Sequence, residues 1–441
     1  MKRTPLSVSS SMTQKNSKSR MQRMKRQGLI MAVSAAALCL TGPVQAQLVP
    51  QLPPVGGVVD RVTGALPDLR QTLGDAASLA RAQVERARDL VRRHPGRIGL
   101  DPEGNAVRAN ELIVIDADAA VTDAAGALGF RLIERVELAE LGIAYARFES
   151  PHGMGVARAL KQLRAVAGGR EVSADPLYFA SGTTAGPAMP SHGAAQASTG
   201  SARIGIIDGG VPPGTPGLAR QQGFAQGGPR TNDHAVAIAS LLTGGGGVRA
   251  SAPGARLHVA DVYGDDPAGG NAAAIGQALA WMARERVPVV VVSLTGPPNP
   301  LLGRIVGAAR RLGTVVVAAV GNDGPAARPA YPASYPDAVA VTGVDARGRV
   351  LIEAGRAAKL DYAAPGADLL ALGTDGKARR VRGTSFAAPF VAARLSAHLS
   401  SDGIGGALAA LDREARDLGK RGADRQFGRG LVCGECATRP R

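Results

Sequence analysis

Between Arg203 and Val344 the chain repeats one pattern. Five apolar runs, RIGIID (203–208), ARLHVADVYG (255–264), VPVVVVSL (287–294), GTVVVAAVG (313–321) and DAVAVTGV (337–344), are rich in Val and Ile. Their apolar residues are consecutive rather than alternate, as in strands covered on both faces. Stretches 233–243, 271–286, 300–312 and 385–399 instead carry apolar residues at helical spacing. Strands alternating with helices predict an α/β fold, a parallel sheet in a three-layer αβα arrangement over residues 203–432. Right-handed crossovers then bring the carboxyl ends of the strands to one edge, where sites are built.

The upstream pattern differs. ELIVID (111–116), RLIERVEL (131–138), GIAYARFES (142–150) and REVSADPLY (170–178) read as strands, separated by helical stretches at 120–130 and 155–169. The order βαββαβ predicts a small α+β, ferredoxin-like module over 110–180. Residues 47–109 begin Pro/Gly-rich and continue into a helix, with Leu73, Ala77, Ala80, Val84, Ala87 and Val91 on one stripe and Pro95-Gly96 as its stop. It reads as a surface or spacer helix. Residues 181–202 are rich in Gly, Ala, Ser and Pro and lack periodicity, which predicts a flexible linker.

Residues 1–46 combine a basic start, the apolar stretch GLIMAVSAAALCLTG (28–42) and Val44-Gln45-Ala46, the pattern of an export signal cleaved after Ala46. The apolar stretch is too short for a comfortable membrane span, so no span is expected after its removal. Export to the periplasm or the medium follows. The formal net charge of +16 changes little in this picture: residues 1–27 contribute eight Lys/Arg, 47–200 net −1 and 201–441 net +9. With aromatics at 3% and no zinc or RNA-binding signature, nucleic acid is not an expected partner. Cys433 and Cys436, in CGEC within the C-terminal tail 433–441, suit a small disulfide in an exported protein. A redox motif would need a βαβ setting, which the tail lacks.

The candidate chemistry lies at the ends of the predicted elements. Asp208 closes RIGIID before Gly209-Gly210; alone, such an Asp is more often a turn cap. His234 stands in the first turn of the 233–243 helix, at the exposed mouth, with Asn232 or Asp233 as its cap. Among six His it alone has the address of a general base, since His94 and His152 are upstream, His192 is in the linker, His258 is inside a strand and His398 ends a helix. Asn322, in VGNDGPA, is placed to donate to a developing oxyanion, although GND is more often a turn. Ser385, in GTSFAAPFVAA, opens a helix whose N-terminus favours negative charge, with Pro389 tolerated in the first turn. A lone Ser hydroxyl is a poor nucleophile, so it acquires meaning only with a base.

Asp, His, Asn and Ser in this order and context resemble the subtilisin-like serine proteases (subtilases, peptidase family S8). The resemblance rests on IGIIDGGV, DHAVAIASLLTG, APGARLHVADVYG, VVVVSLTGPPN, VAAVGNDGPAARPAYPASYPDAVAVTGVDARG, DYAAPG and GTSFAAPFVAA, over 203–399. It implies a serine endopeptidase with Asp208 as orienting carboxylate, His234 as base, Ser385 as nucleophile and Asn322 as oxyanion donor. It further implies substrate edges at Ser293, Leu294, Thr295 and Gly296 and at Ala318, Ala319, Val320 and Gly321, with polypeptides as substrates. Small residues there imply no acidic floor and no strict Lys/Arg selectivity. The 110–180 module resembles the inhibitory prodomain of these enzymes, removed by self-cleavage between Tyr178 and Ala202. No catalytic cofactor is implied; relatives often bind structural calcium, but no acidic loop here has a supporting ligand spacing.

Two motifs depart from the family pattern. Ala235 and Val236 replace the usual Gly and Thr after the His, and Gly209 replaces Thr or Ser after the Asp. They keep a second reading open, an inactive subtilase that binds peptides. A dinucleotide-binding oxidoreductase fails for want of G-x-G-x-x-G, and an α/β-hydrolase for want of G-x-S-x-G.

Overall fold

The computed structural model describes residues 67–187 and 202–440. The expected export signal, the Pro/Gly-rich start of the spacer and residues 188–201 of the expected linker lie outside them. Helices are numbered α1 (Pro67–Arg93), α2 (Ala119–Ala127), α3 (Val156–Val166), α4 (Asp233–Thr243), α5 (Ala272–Arg284), α6 (Pro300–Arg311), α7 (Ala388–Ala397) and α8 (Gly403–Glu414). Strands of the amino-terminal part are β1 (Ile98–Leu100), β2 (Ala106–Ile115), β3 (Arg131–Leu138), β4 (Ile143–Glu149), β5 (Val172–Pro176), β6 (Phe179–Ala180) and β7 (Thr183–Pro187). The remainder are β8 (Arg203–Asp208), β9 (Leu218–Gly223), β10 (Arg256–Asp261), β11 (Val289–Val292), β12 (Leu294–Thr295), β13 (Val315–Ala319), β14 (Val339–Val344), β15 (Tyr362–Pro365), β16 (Leu369–Leu372) and β17 (Ala378–Arg382).

Seven strands form a parallel sheet in the order β15-β14-β13-β11-β8-β10-β9. The chain leaves β8 toward one edge through β9 and β10, then toward the other through β11, β13, β14 and β15. Such a reversal opens a crevice at the carboxyl ends of the central strands. Because both faces are covered, β11 reads VVVV with every residue buried. Ile207, Val290 and Val292 meet Leu279, Met282 and Ile305 of α5 and α6 on one face. Ile206, Val291 and Val317 meet Ile238 of α4 and Phe390 and Val391 of α7 on the other. This is the expected three-layer fold.

The amino-terminal strands pair in the order β5-β2-β4-β3, the 4-1-3-2 order of a βαββαβ unit, and β1 adds a hairpin beside β2. The run ELIVI in β2 is explained by two-sided burial. Leu112 and Val114 face α2 and α3, whereas Ile113 and Ile115, with Ile143 and Tyr145, pack in one cluster with α5 and α6. Each such apolar side chain contributes roughly 1.5–3 kcal/mol. Polar contacts fix the register: Gln277 donates to the Tyr145 hydroxyl (2.8 Å), and the Asn299 amide to Ser173 Oγ and the Ala174 carbonyl (both 3.2 Å). Ala273 N–H, in the first turn of α5, donates to Asp175 Oδ1 (3.1 Å), while Asp175 Oδ2 is buried without a partner.

Two expectations change. Helix α1 is not a free spacer: Ala87, Leu90 and Val91 pack with Ile98, Leu177 and Ala268, and Arg86 pairs with Asp323, whereas Val84 of the expected stripe is exposed. Residues 183–187, expected in an irregular linker, form β7 against β17, where backbone pairing replaces apolar periodicity. The tail carries the expected Cys433–Cys436 disulfide and joins the domain through Val432 N–H on the Ala363 carbonyl (2.8 Å) and Leu370 N–H on the Thr438 carbonyl (2.9 Å). Among the described residues, no helix is long and apolar enough to cross a membrane.

Candidate active site

Asp208 and Asp261 end the neighbouring strands β8 and β10 in register, both fully buried. Only one is free to orient an imidazole. Asp261 is consumed by backbone donors: Tyr263 N–H (2.9 Å) and Gly264 N–H (3.0 Å) on Oδ1, and Arg230 N–H (2.7 Å) on Oδ2. Asp208 accepts Gly209 N–H on Oδ1 (2.8 Å) and leaves Oδ2 to His234 Nδ1, 2.8 Å away. Helix α4 places that His. Asn232 is the N-cap, its Oδ1 accepting from His234 N–H (2.8 Å) and Ala235 N–H (3.3 Å). A Cβ on residue 209 would lie 2.4 Å from Asn232 Cβ, so the family's usual Thr or Ser has no room beside this cap. Ala235 and Val236 are buried in the core, and the Asp208–His234 pair forms despite both departures.

Ser385 lies in a single 3₁₀ turn, Thr384–Phe386, that leads into α7. Its hydroxyl donates to the Ser181 carbonyl and lies 3.2 Å from the Ser293 carbonyl; its N–H donates to the same Ser181 oxygen at 3.2 Å. Asn322 is held by its oxygen, which accepts Thr384 N–H at 3.0 Å, and this turns its NH₂ toward the same place. Gly383, at φ 143°, is required there. A Cβ on it would stand 2.6 Å from Asn322 Nδ2, 2.8 Å from Gly182 Cα and 3.0 Å from the Ser181 oxygen.

The segment 177–182 therefore runs through the crevice as an extended strand. Leu177 bridges Asn271, Tyr178 N–H donates to the Gly270 carbonyl (2.8 Å), and β6 pairs antiparallel with β12. Ser181 N–H continues the ladder to the Ser293 carbonyl (3.3 Å). The covering segment explains why His234, expected at an exposed mouth, is buried. Its Nε2 has no hydrogen-bond partner, faces Gly182 (a Cβ there would lie 3.4 Å away) and its ring tilts against Phe386 (centroids 5.4 Å apart). The Nε2–Ser385 hydroxyl bond is not made here, because the hydroxyl is turned to the two carbonyls.

Of the eight expected edge residues, Ser293, Leu294 and Thr295 pair with the segment and Gly296 lies under the Tyr178 ring. Ala318, Ala319 and Val320 are buried in the cores on the two sides of the sheet, and within this second group Gly321 reaches the crevice, against Thr295. The second edge is instead Gly270-Asn271, preceding α5. The pair Gly269-Gly270 before a helix-capping Asn was the only sequence signal for it. The Tyr178 hydroxyl donates to the Pro297 carbonyl (2.7 Å), and Tyr263 closes the rim by donating to the Tyr178 carbonyl (3.0 Å).

Residues 201–430 match the family model "Subtilase family". Subtilisin BL from Lederbergia lenta is 30% identical over 223 residues, 49% of this chain and 82% of that protein. Subtilisin E from Bacillus subtilis is 28% identical over 260 residues, 56% of this chain and 67% of that protein. Among solved structures, fervidolysin from Fervidobacterium pennivorans, described as a keratinolytic enzyme related to subtilisin, matches with a TM-score of 0.63 at 18% identity. That match covers 77% of this chain and 63% of that one, and it bears on the fold alone. The chain belongs to the subtilase family of serine protease hydrolases.

Proposed function

We propose that the chain is an exported serine endopeptidase whose first substrate is its own Ser181–Gly182 bond. The observation that carries this reading is the Ser181 carbonyl, which receives the Ser385 N–H at 3.2 Å, beside the Asn322 amide, while His234 Nε2 faces Gly182. A rotation of the Ser385 side chain toward Nε2 releases the hydroxyl from the two carbonyls. His234 then removes its proton as Oγ attacks the Ser181 carbonyl carbon, and the Ser385 N–H and Asn322 NH₂ stabilise the oxyanion. Asp208 holds the imidazole with Nδ1 protonated and stabilises the imidazolium. His234 next protonates the Gly182 nitrogen, which leaves, and water hydrolyses the Ser181 ester. Other polypeptides follow the same path once the crevice is vacated. The proposed chemistry uses these side chains and water. A fluorophosphonate probe tests it: the expected result is covalent labelling of Ser385 in the processed protein. A folded protein that binds peptides but resists the probe would favour the inactive reading.

Asn322→Ala is expected to lower kcat by about 10²–10³ with little change in KM, the scale this loss has in the relative subtilisin. Progress curves on a peptide amide check it; a fall below threefold would remove Asn322 from the oxyanion role.

In this reading the 110–180 module stays bound after cleavage as an intramolecular inhibitor, and pH modulates its hold. Burial pushes the Asp175 carboxyl up to about 7, against the pull of Ala273 N–H, Arg147 and Arg108, while Glu111 adds to the rise. A bound-state pKa above the free value means that the contact contributes fully below the free value and loses its contribution as pH rises through about 7. The cleaved module is therefore expected to dissociate more readily at pH 8 than at pH 5, and Asp175→Asn to flatten the difference. Size-exclusion chromatography of the cleaved chain at both pH values reads this out; tighter retention at pH 8 would contradict it.

A further inference from the structure

Of the four residues ahead of the Ser181–Gly182 bond, two have gripped side chains and two do not. Phe179 and Ala180 are exposed, whereas Tyr178 and Ser181 are buried. This pattern, resting on the reading of Ser181–Gly182 as the bond presented for cleavage, carries information about which polypeptides the same crevice accepts.

The residue before the cleaved bond enters between the β12 edge and Gly321. In this chain that gap is occupied by Thr295. A Cβ on Gly321 would meet Thr295 Cγ2 at 3.2 Å and Oγ1 at 3.4 Å, so the threonine side chain spans to the opposite wall. Thr295 is itself buried, and Ser181 fills the remaining space with its hydroxyl 3.3 Å from the Ser293 carbonyl and 3.4 Å from Thr295 Oγ1. A side chain longer than that of Ser collides with Thr295 or must push it from a packed position, and close-packed interiors resist such shifts.

Three residues earlier the opposite holds. Tyr178 is fully buried over Gly296, where any Cβ would stand 2.6 Å from its ring, and its hydroxyl reaches the Pro297 carbonyl at 2.7 Å. The bare Gly296 makes the recess; the carbonyl at its end reads the hydroxyl. Replacing Tyr by Phe there leaves the Pro297 carbonyl without that donor in a closed pocket.

We infer that Thr295 narrows the recess for the residue ahead of the cleaved bond, so that the enzyme selects polypeptides of the form Tyr-x-x-Ser/Ala/Gly. Selection rests on exclusion at one position and anchoring at the other, with the two intervening residues free.

The test uses the full chain after self-cleavage and a set of acetyl-Tyr-Phe-Ala-X p-nitroanilides with X as Ser, Ala, Leu, Phe or Lys. The expected kcat/KM for Ser or Ala exceeds that for Phe by roughly 100-fold, the scale of steric discrimination in a tight pocket. Thr295→Gly should shrink that ratio at least tenfold, whereas Thr295→Val, which keeps the shape, should preserve the exclusion of Phe. Substituting Phe for Tyr at the first position should cost roughly tenfold or more. Preference for Phe or Lys as X, or a ratio unmoved by Thr295→Gly with Thr295→Val behaving alike, overturns the inference while leaving the enzyme reading intact. A cooperatively folded protein that hydrolyses none of the set overturns the enzyme reading and this inference with it.

Discussion

Replacing Ser385 by Ala is expected to lower peptide hydrolysis by about 10⁶-fold, the scale known from the relative subtilisin, and to leave the chain as an uncleaved precursor. The fold should survive. Ser385 holds its neighbours through its backbone, its carbonyl accepting from the Ser293 hydroxyl (2.8 Å), and Ala retains that carbonyl and the N–H. The substitution also removes the hydroxyl now donating to the Ser181 carbonyl, so the segment 177–182 is expected to stay in place through its backbone ladder. Assay of purified variant and parent on one peptide amide checks the rate, and a gel checks the precursor. A loss of less than about 100-fold would point to a different nucleophile.

Asp208→Asn is expected to cost about 10⁴-fold in kcat with KM little changed. The reason lies in its two partners. Gly209 N–H needs an acceptor on one side of the carboxylate, at 2.8 Å, which an Asn oxygen supplies. The Asn NH₂ then faces His234 Nδ1, where a lone pair must replace the proton. The imidazole is left with its proton on Nε2, unable to accept one from Ser385. Because the shape of the site is unchanged, probe labelling should slow in step with kcat while thermal stability shifts little. Loss of stability without that slowing would make Asp208 a structural residue only.

The sequence carried the large features clearly where one physical signal dominated. Strands such as β11, four consecutive buried valines, announce two-sided burial, and the Asn232 cap announces the start of α4. Asp208, His234, Asn322 and Ser385 stood out as candidates because each lies at the boundary of an element. What the sequence hid has a common cause: it is held by backbone or by remote chain. Strands β6 and β7 consist of small or mixed residues with no alternation, since main-chain pairing with β12 and β17 holds them. The burial of His234 depends on Ser181-Gly182, some fifty residues upstream, and no local pattern around residue 234 reports it. The family resemblance placed Ala318 and Ala319 at a substrate edge, whereas their side chains are buried in the cores on the two sides of the sheet. Thr295 was expected at the substrate edge as one residue of SLTG, but that its side chain reaches Gly321, 26 residues downstream, has no local signal.

In the proposed mechanism the Ser181–Gly182 bond is presented to Ser385 for cleavage. The direct measurement is the intact mass and N-terminal sequence of the purified parent and of Ser385→Ala, expressed side by side. A polypeptide beginning at Gly182 is expected in the parent and none in the variant. A parent cut elsewhere, or a Gly182 terminus that persists without the Ser385 hydroxyl, would contradict it.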